Sequence, residues 1–104
     1  MAFASLFPFS IYKVEGHSME PLLKEGDRVI VSNWSYLFSS PRIGDIIVFN
    51  NRNKKDSKDN KIYIKRIIAI NNNKLSVAGD NKRDSKKLEP ISRDEIIGKV
   101  IGRY

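Results

Sequence analysis

The feature that most constrains the fold is a series of short Ile- and Val-rich runs, each ended by a Gly, Asn or Asp turn. Runs of this length rich in β-branched residues are typical of strands, and no stretch keeps helical spacing of its apolar residues. The sequence therefore predicts an all-β fold, a small twisted or partly open β-barrel of short antiparallel strands. The predicted strands are residues 11–14, 28–32, 46–49, 61–70, 74–78 and 95–104.

The polar stretches between these strands favour turns and loops. Three consecutive asparagines at 71–73 predict a tight turn, because asparagine tolerates a positive φ. Residues 50–60 are too hydrophilic to be buried and predict a mobile hairpin loop. An aromatic and apolar cluster precedes the third predicted strand and consists of Trp34, Tyr36, Leu37 and Phe38. We expect this cluster either to fill the core or to line a pocket near Ser18, a candidate reactive residue described below.

Length, charge and composition restrict the class of protein. A chain of 104 residues accommodates one domain with a modest core. Its net charge of +7 favours an anionic membrane surface or nucleic acid as a neighbour, although five of the Lys and Arg residues lie within 51–61 and serve to solubilise that loop. With no cysteine and one histidine, a disulfide framework, a thiol nucleophile and a Cys- or His-cluster metal site are excluded, and no cofactor is expected.

The N-terminal segment, residues 1–12, is apolar and aromatic and precedes the domain predicted at 13–104. Its apolar run is about half of the roughly 20 residues needed to cross a bilayer, and no basic region precedes it as in a signal peptide. Three interpretations stay open: a segment that dips into a membrane surface, the stub of an anchor, or a buried first strand.

Two segments carry chemistry. Residues 16–21 (GHSMEP) present Ser18 in a turn, and residues 63–66 (YIKR) place Lys65 inside an apolar run. A serine and a lysine in a dry pocket form a hydrolytic dyad, because burial favours the neutral amine that acts as base. Taken singly, each has a more common interpretation: an ordinary turn for Ser18, and a lysine whose amine reaches solvent for Lys65.

Both segments, followed by Gly79-Asp80-Asn81, resemble the type I signal peptidase family of membrane-associated serine proteases. Larger members of the family carry a second domain between the lysine strand and the Gly-Asp-Asn segment. This chain is similar to small members without that domain, and residues 71–73 close the gap. The resemblance extends over nearly the whole chain, in register, through 16–21, 26–31, 42–49, 63–69, 79–81 and 84–86.

The resemblance implies Ser18 as the nucleophile, Lys65 as the general base and Arg66 as its structural neighbour. It implies cleavage of signal peptides or leader segments after small residues, in an Ala-x-Ala pattern, at the extracytoplasmic face of a membrane. The ordinary pKa of lysine is about 10.4, so a base at neutral pH requires burial that lowers the pKa of Lys65 to roughly 7. The resemblance also implies oxyanion or supporting roles for Gly16, His17, Asp84 and Ser85, and substrate-binding roles for Met19, Pro21 and Tyr63.

The chain departs from the family pattern in its last motif and beside the nucleophile. The serine that supports the lysine in the family is missing or is replaced by Ser85, and Asp84 is expected to pair with a basic residue such as Lys86 or Arg66. Lys86 stands in place of an arginine and cannot form a forked pair with a carboxylate. Gly16 replaces a serine that donates to the oxyanion in many members, so backbone N–H groups are expected to take over that role.

His17, next to the nucleophile, is predicted not to be the base. Adjacent side chains of an extended segment point to opposite faces, and the chain has no second histidine.

Three alternatives to a signal peptidase remain: a maturation protease for one partner, similar to nickel superoxide dismutase processing enzymes; a self-cleaving domain of the SOS-repressor type; and a non-catalytic nucleic-acid-binding β-barrel. A dyad and charge concentrated in one loop argue against nucleic acid as the partner.

Overall fold

The computed structural model describes residues 7–50, 62–84 and 88–103, and within them the chain forms one antiparallel sheet. The spatial order of the strands is β1-β2-β7-β3-β4-β5-β6, with β1 and β6 at the edges. The sheet is thus open, and the predicted all-β antiparallel class is confirmed. The elements are β1 (Phe9–Lys13), β2 (Arg28–Ser32), α1 (Ser35–Phe38), β3 (Ile46–Asn50), β4 (Ile62–Asn71), β5 (Lys74–Ala78), β6 (Ile91–Ser92) and β7 (Ile96–Arg103), with 3₁₀ turns at Lys82–Asp84 and Arg93–Glu95.

Strand β3 lies between β4 and β7 and is buried on both faces. Its Ile47, Val48 and Phe49 are fully buried, and because side chains alternate along a strand they enter two different cores. The first core cluster contains Ile47, Phe49, Tyr63, Ile67, Leu75, Val77 and Ile91. The second core cluster contains Val14, Met19, Leu23, Val29, Val31 and Val48.

The hairpin of β4 and β5 brings the lysine strand beside the segment that follows β5. The predicted turn at 71–73 is confirmed, with Asn72 and Asn73 at φ 48° and 65°. This turn returns β5 along β4, so that Arg66 is opposite Ala78 and Ile67 is opposite Val77. As a result Gly79-Asp80-Asn81 leaves the sheet close to Lys65 and Arg66.

The aromatic cluster before β3 is divided between core and surface. Tyr36 packs against the first core cluster and its hydroxyl donates a 2.7 Å hydrogen bond to Asp45 Oδ2. Leu37 and Phe38, in contrast, are exposed, so the expected core or pocket role does not apply to them. The predicted loop at 50–60 lies outside the described residues except for Asn50, which ends β3.

The described part of the N-terminal segment forms the edge strand β1. Its side chains alternate between the sheet interior and solvent, and Phe9 and Ile11 are on the exposed side. The described residues thus form a first strand, as one of the three interpretations expected, but Phe9 and Ile11 of this strand are exposed rather than buried. None of the helices formed by the described residues is long and apolar enough to span a bilayer.

Candidate functional site

Ser18 lies in a series of turns between β1 and β2. The chain enters this series at Gly16, which has φ +79°, a conformation that suits glycine. The amide of Glu20 donates to the carbonyl of His17 at 3.2 Å, and that of Leu23 donates to Met19 at 2.9 Å. Ser18 itself is partly buried.

The base of this loop is held by three hydrogen bonds between its two ends. Val14 donates to the carbonyl of Asp27 at 2.7 Å, and Gly26 donates to the carbonyl of Val14 at 2.9 Å. The amide of Gly16 donates to Glu25 Oε2 at 3.0 Å. The Gly16 amide, one of the backbone donors expected to serve an oxyanion, is therefore engaged by a carboxylate of the protein.

The residues predicted to bind substrate lie mainly in the core. Met19 is only 2% exposed and belongs to the second core cluster, so it anchors the turn to the domain. Tyr63 is buried in the first core cluster, with its ring 5.6 Å from that of Phe49. Pro21, which follows a cis peptide bond, is the exposed member of the predicted set.

Lys65 lies in the middle of β4 and is buried. It is 6% exposed, too little for a side chain that extends far into bulk solvent. By strand alternation it shares a face with Tyr63 and Ile67, and it lies opposite the fully buried Ile47 of β3. A buried ammonium loses hydration, and this desolvation favours the neutral form of an amine.

Arg66, the next residue, points to the other face and connects three parts of the chain. Its Nε and Nη2 donate to Asp80 Oδ1 and Oδ2, each at 2.8 Å, and its Nη1 donates to the carbonyl of Gly44 at 2.8 Å. The hydrogen bonds from Arg66 hold the pKa of Asp80 below its ordinary value, and the same pair raises the pKa of Arg66. Arg66 thus fixes the segment after β5 against β4.

Asn81 connects this ion pair to the turn that contains Ser18. Its amide donates to the carbonyl of Ser18 at 2.8 Å, and its Nδ2 donates to the carbonyl of His17 at 2.9 Å. Because Asp80 and Asn81 are adjacent, the serine turn and the lysine strand are joined by two consecutive residues. Asp80 and Asn81 were recognised in the sequence as part of a motif, but their separate roles were not predicted.

His17 contacts Glu20 across the turn. Its Nδ1 lies 2.5 Å from Glu20 Oε2, and both side chains are at the surface. The expectation that His17 and Ser18 diverge assumed an extended backbone, and this segment forms turns instead. Strand alternation therefore does not separate His17 from Ser18, and the contact with Glu20 is what holds the His17 ring.

The remaining predicted residues are near the last motif. Asp84 ends the 3₁₀ turn Lys82–Asp84, and Ser85 lies outside the described residues. The carboxylate that pairs with Arg66 is that of Asp80. In the described part of the chain, no three His, Asp or Glu side chains are grouped so as to hold a metal ion.

Comparisons with known proteins agree with the sequence motifs. The family model described as "Signal peptidase, peptidase S26" matches residues 1–81, which include Ser18, Lys65, Asp80 and Asn81. The chain is 34% identical over 105 residues to signal peptidase I of Bacillus caldolyticus, covering 95% of this chain and 54% of that protein. It is 35% identical over 69 residues to signal peptidase IB of Staphylococcus aureus, covering 66% of this chain and 33% of that protein. The chain thus spans about half the length of the first relative and a third of the second.

Proposed function

Because this chain belongs to the signal peptidase, peptidase S26 family, we propose that it is a serine endopeptidase that cleaves signal peptides or short leader segments. Ser18 is the proposed nucleophile and Lys65 the proposed general base. The substrates are peptides with small side chains before the cleaved bond, in the Ala-x-Ala pattern implied by the resemblance. The site is proposed to work at the extracytoplasmic face of a membrane.

The proposed reaction is acyl transfer from the peptide to the serine and then to water. Neutral Lys65 takes the proton from Ser18 Oγ, which attacks the carbonyl carbon of the cleaved bond. The tetrahedral intermediate collapses, and the Lys65 ammonium returns the proton to the leaving amine. Neutral Lys65 then takes a proton from water, whose oxygen attacks the ester carbonyl carbon. The second tetrahedral intermediate collapses, and the Lys65 ammonium returns this proton to Ser18 Oγ as the acid product is released.

The observation that carries this proposal is the two-residue bridge from the lysine strand to the serine turn. Asp80 holds Arg66, the neighbour of Lys65, and Asn81 holds the carbonyl of Ser18. A dyad needs its two members fixed relative to each other, because misplacement of either by an ångström lowers the rate steeply. The bridge supports the proposal because it ties the strand of Lys65 to the turn of Ser18 through residues far apart in sequence.

The burial of Lys65 supports the role of base. A lysine at the surface is protonated at neutral pH and has no lone pair to accept a proton. Lys65 lies instead beside the fully buried Ile47 and Ile67, where desolvation works against the charged form. A general base at neutral pH requires such a position.

Contact with a membrane is supported by the exposed face of β1. This face consists of Phe9, Ile11 and Lys13, with Phe7 just before the strand; Phe7, Phe9 and Ile11 are 71%, 57% and 58% exposed. At its end Lys13 lies directly opposite Arg28 of β2, although like charges in opposite positions destabilise a sheet. An apolar surface ending in two cations matches the acyl chains and headgroups of an anionic bilayer.

The proposed activity is tested by incubating the protein in detergent with an Ala-x-Ala leader peptide and identifying the products by mass spectrometry. We expect one cut after the second alanine, with no cut by the Ser18→Ala variant. A parallel peptide with leucine in place of both alanines controls for contaminating proteases and should stay intact. Cleavage of both peptides, or undiminished cleavage by Ser18→Ala, would contradict the proposal.

A further inference from the structure

The geometry points to Glu25 as a positioning residue for the nucleophile, acting through the backbone amide of Gly16. Glu25 Oε2 accepts this amide at 3.0 Å, two residues before Ser18. The inference rests on the proposed function, since it assigns to Glu25 an effect on the reaction of Ser18. It goes beyond the dyad, because Glu25 lies at the opposite end of the loop from the residues that carry the chemistry.

Glu25 links the two sides of the loop just beyond the last backbone hydrogen bonds that extend the pairing of β1 and β2. Lys13 lies opposite Arg28, and Val14 then pairs with Asp27 and Gly26 through its amide and carbonyl. Gly16 and Gly26 have φ of +79° and +92°, so both sides of the loop turn away from the extended path here. The side chain of Glu25 supplies the next link, between the two sides of the loop.

The turn that contains Ser18 is thus held by a different contact before, at and after this residue. After it, Met19 is packed in the second core cluster. At Ser18 itself, Asn81 holds the carbonyl. Before it, at Gly16, the contact is the one with Glu25, a bond between an amide and a carboxylate, which is stronger than a bond between neutral groups. Glycine at 16 has no side chain to restrict its backbone, so the hydrogen bond to Glu25 limits the backbone conformations available to the segment that leads to Ser18.

The same bond decides where an oxyanion can be stabilised. An amide that donates to Glu25 is directed toward a carboxylate, where a second negative oxygen would be repelled. The developing oxyanion must therefore receive its hydrogen bonds from donors other than Gly16. In this arrangement Glu25 fixes the turn while it keeps the Gly16 amide away from the substrate carbonyl.

The test compares Glu25→Ala, Glu25→Gln and Glu15→Ala in cleavage of the Ala-x-Ala leader peptide. Glu15 is an exposed glutamate on the same loop and serves as the matched control. We expect Glu25→Ala to lower kcat by about tenfold, the equivalent of one hydrogen bond to a charged group, with an unchanged KM. Glu25→Gln keeps an acceptor oxygen and should recover most of kcat, and Glu15→Ala should match the unsubstituted protein. A kcat of Glu25→Ala equal to that of Glu15→Ala would overturn the inference.

A measurement independent of catalysis separates this inference from the proposed function. Amide hydrogen exchange of Gly16, followed by NMR, should accelerate in Glu25→Ala but not in Glu15→Ala, while amides of β4 exchange as before. Unchanged exchange at Gly16 would overturn the anchor, whatever the activity. If the unsubstituted protein cleaves no peptide, the proposed function fails, while the exchange rates still decide whether Glu25 holds Gly16.

Discussion

Arg66 and Asp80 form a two-point ion pair in which Nε and Nη2 of the guanidinium each lie 2.8 Å from a carboxylate oxygen. The pair joins the strand of Lys65 to the segment whose next residue, Asn81, holds the carbonyl of Ser18. Its planar geometry fixes orientation as well as distance, which a lysine at position 66 would not do. The pair is therefore the structural connection between the two halves of the proposed site.

The first prediction concerns stability in acid. The hydrogen bonds from Arg66 hold the pKa of Asp80 below its ordinary value. A carboxyl group with a lowered folded-state pKa stabilises the protein above its unfolded pKa, about 3.9, and this contribution is lost as the pH falls through the folded value. The unfolding free energy from urea titrations should therefore differ between the unsubstituted protein and Asp80→Asn at pH 6, and the difference should shrink below about pH 4.

Asp27→Asn is the matched control for this experiment. Asp27 Oδ2 accepts the Lys24 amide at 2.9 Å and lies 3.7 Å from Arg103 Nη1 near the surface, so Asp27 and Arg103 form no two-point ion pair. Exposed pairs of this kind contribute about 0–1 kcal/mol, so the control should show a smaller pH-dependent difference. An Asp80→Asn effect of constant size from pH 6 to pH 2 would mean that the loss comes from packing and not from the ion pair.

The second prediction concerns Lys65. Lys65→Ala and Lys65→Arg should both abolish peptide cleavage, since alanine has no base and a guanidinium keeps its proton in a protein. Lys74→Ala, a change of the same kind at an exposed position of β5, should leave the rate unchanged. Circular dichroism should show the sheet intact in all three variants. Turnover by a folded Lys65→Arg protein would contradict the assignment of the base.

The strands were predictable from the sequence because their apolar residues are both β-branched and periodic. The bounds of β2 and β5 agree with the prediction, and both ends of β1, the ends of β3 and β4 and the start of β7 differ by one or two residues; the predicted end residues 61 and 104 lie outside the described residues. The two-residue β6 was not predicted, because it exists through pairing of Ile91 with Leu75 rather than through its own sequence. The helix α1 was not predicted either, because its four residues are too few to show a helical period.

The candidate site residues were predictable from the sequence only where they lie in a short recognisable motif. Ser18 and Lys65 are candidates from their local sequence, but the contacts that position them are not local. Asn81 reaches His17 across 64 residues, and Arg66 reaches Asp80 across 14. The role of Glu25 depends on where the loop ends meet, and the sequence carried no signal for it. Met19 was expected to contact substrate, although its apolar side chain is better explained by burial in the core.

The third prediction uses Gly98, where β7 lies close to β2. A Cβ at position 98 would lie 2.5 Å from Val31 Cγ1 and 2.6 Å from the carbonyl oxygen of Ser32, which is closer than unbonded atoms allow. Gly98→Ala should therefore destabilise the protein by about 1–3 kcal/mol. The corresponding fall in Tm is roughly 5–20 °C for a domain of this size, measurable by calorimetry.

Gly102→Ala is the control in the same strand. A Cβ at position 102 would meet Ile30 Cδ1 at 3.8 Å, an ordinary contact. Its Tm should therefore stay within a few degrees of the unsubstituted protein, about the effect of a surface substitution. Equal Tm values for the two variants would show that the backbone at Gly98 moves to accept a side chain.

The fourth prediction concerns the exposed face of β1. Lys13→Gln and Arg28→Gln should each weaken binding to vesicles of anionic lipid by about fivefold, because a basic residue near such a surface contributes about 1 kcal/mol. Lys74→Gln removes the same charge near the opposite edge of the sheet and should have little effect. Co-sedimentation with the vesicles gives the affinities. Equal losses in the three variants would indicate attraction by net charge alone and would contradict a specific lipid-facing surface.

The last prediction is that His17 is not the base, although it is next to Ser18. Its ring is held by Glu20, so His17→Ala and Glu20→Ala break the same contact, but only the first removes the imidazole. If Lys65 is the base, both variants should keep most of the activity, and the pH–rate profile should rise as Lys65 loses its proton, without a limb near the ordinary histidine pKa of about 6.5. If His17 were the base, His17→Ala would be inactive while Glu20→Ala remained active. Cleavage rates of the two variants from pH 5 to pH 10 therefore distinguish a Ser-Lys from a Ser-His mechanism, and an inactive but folded His17→Ala protein would replace the first with the second.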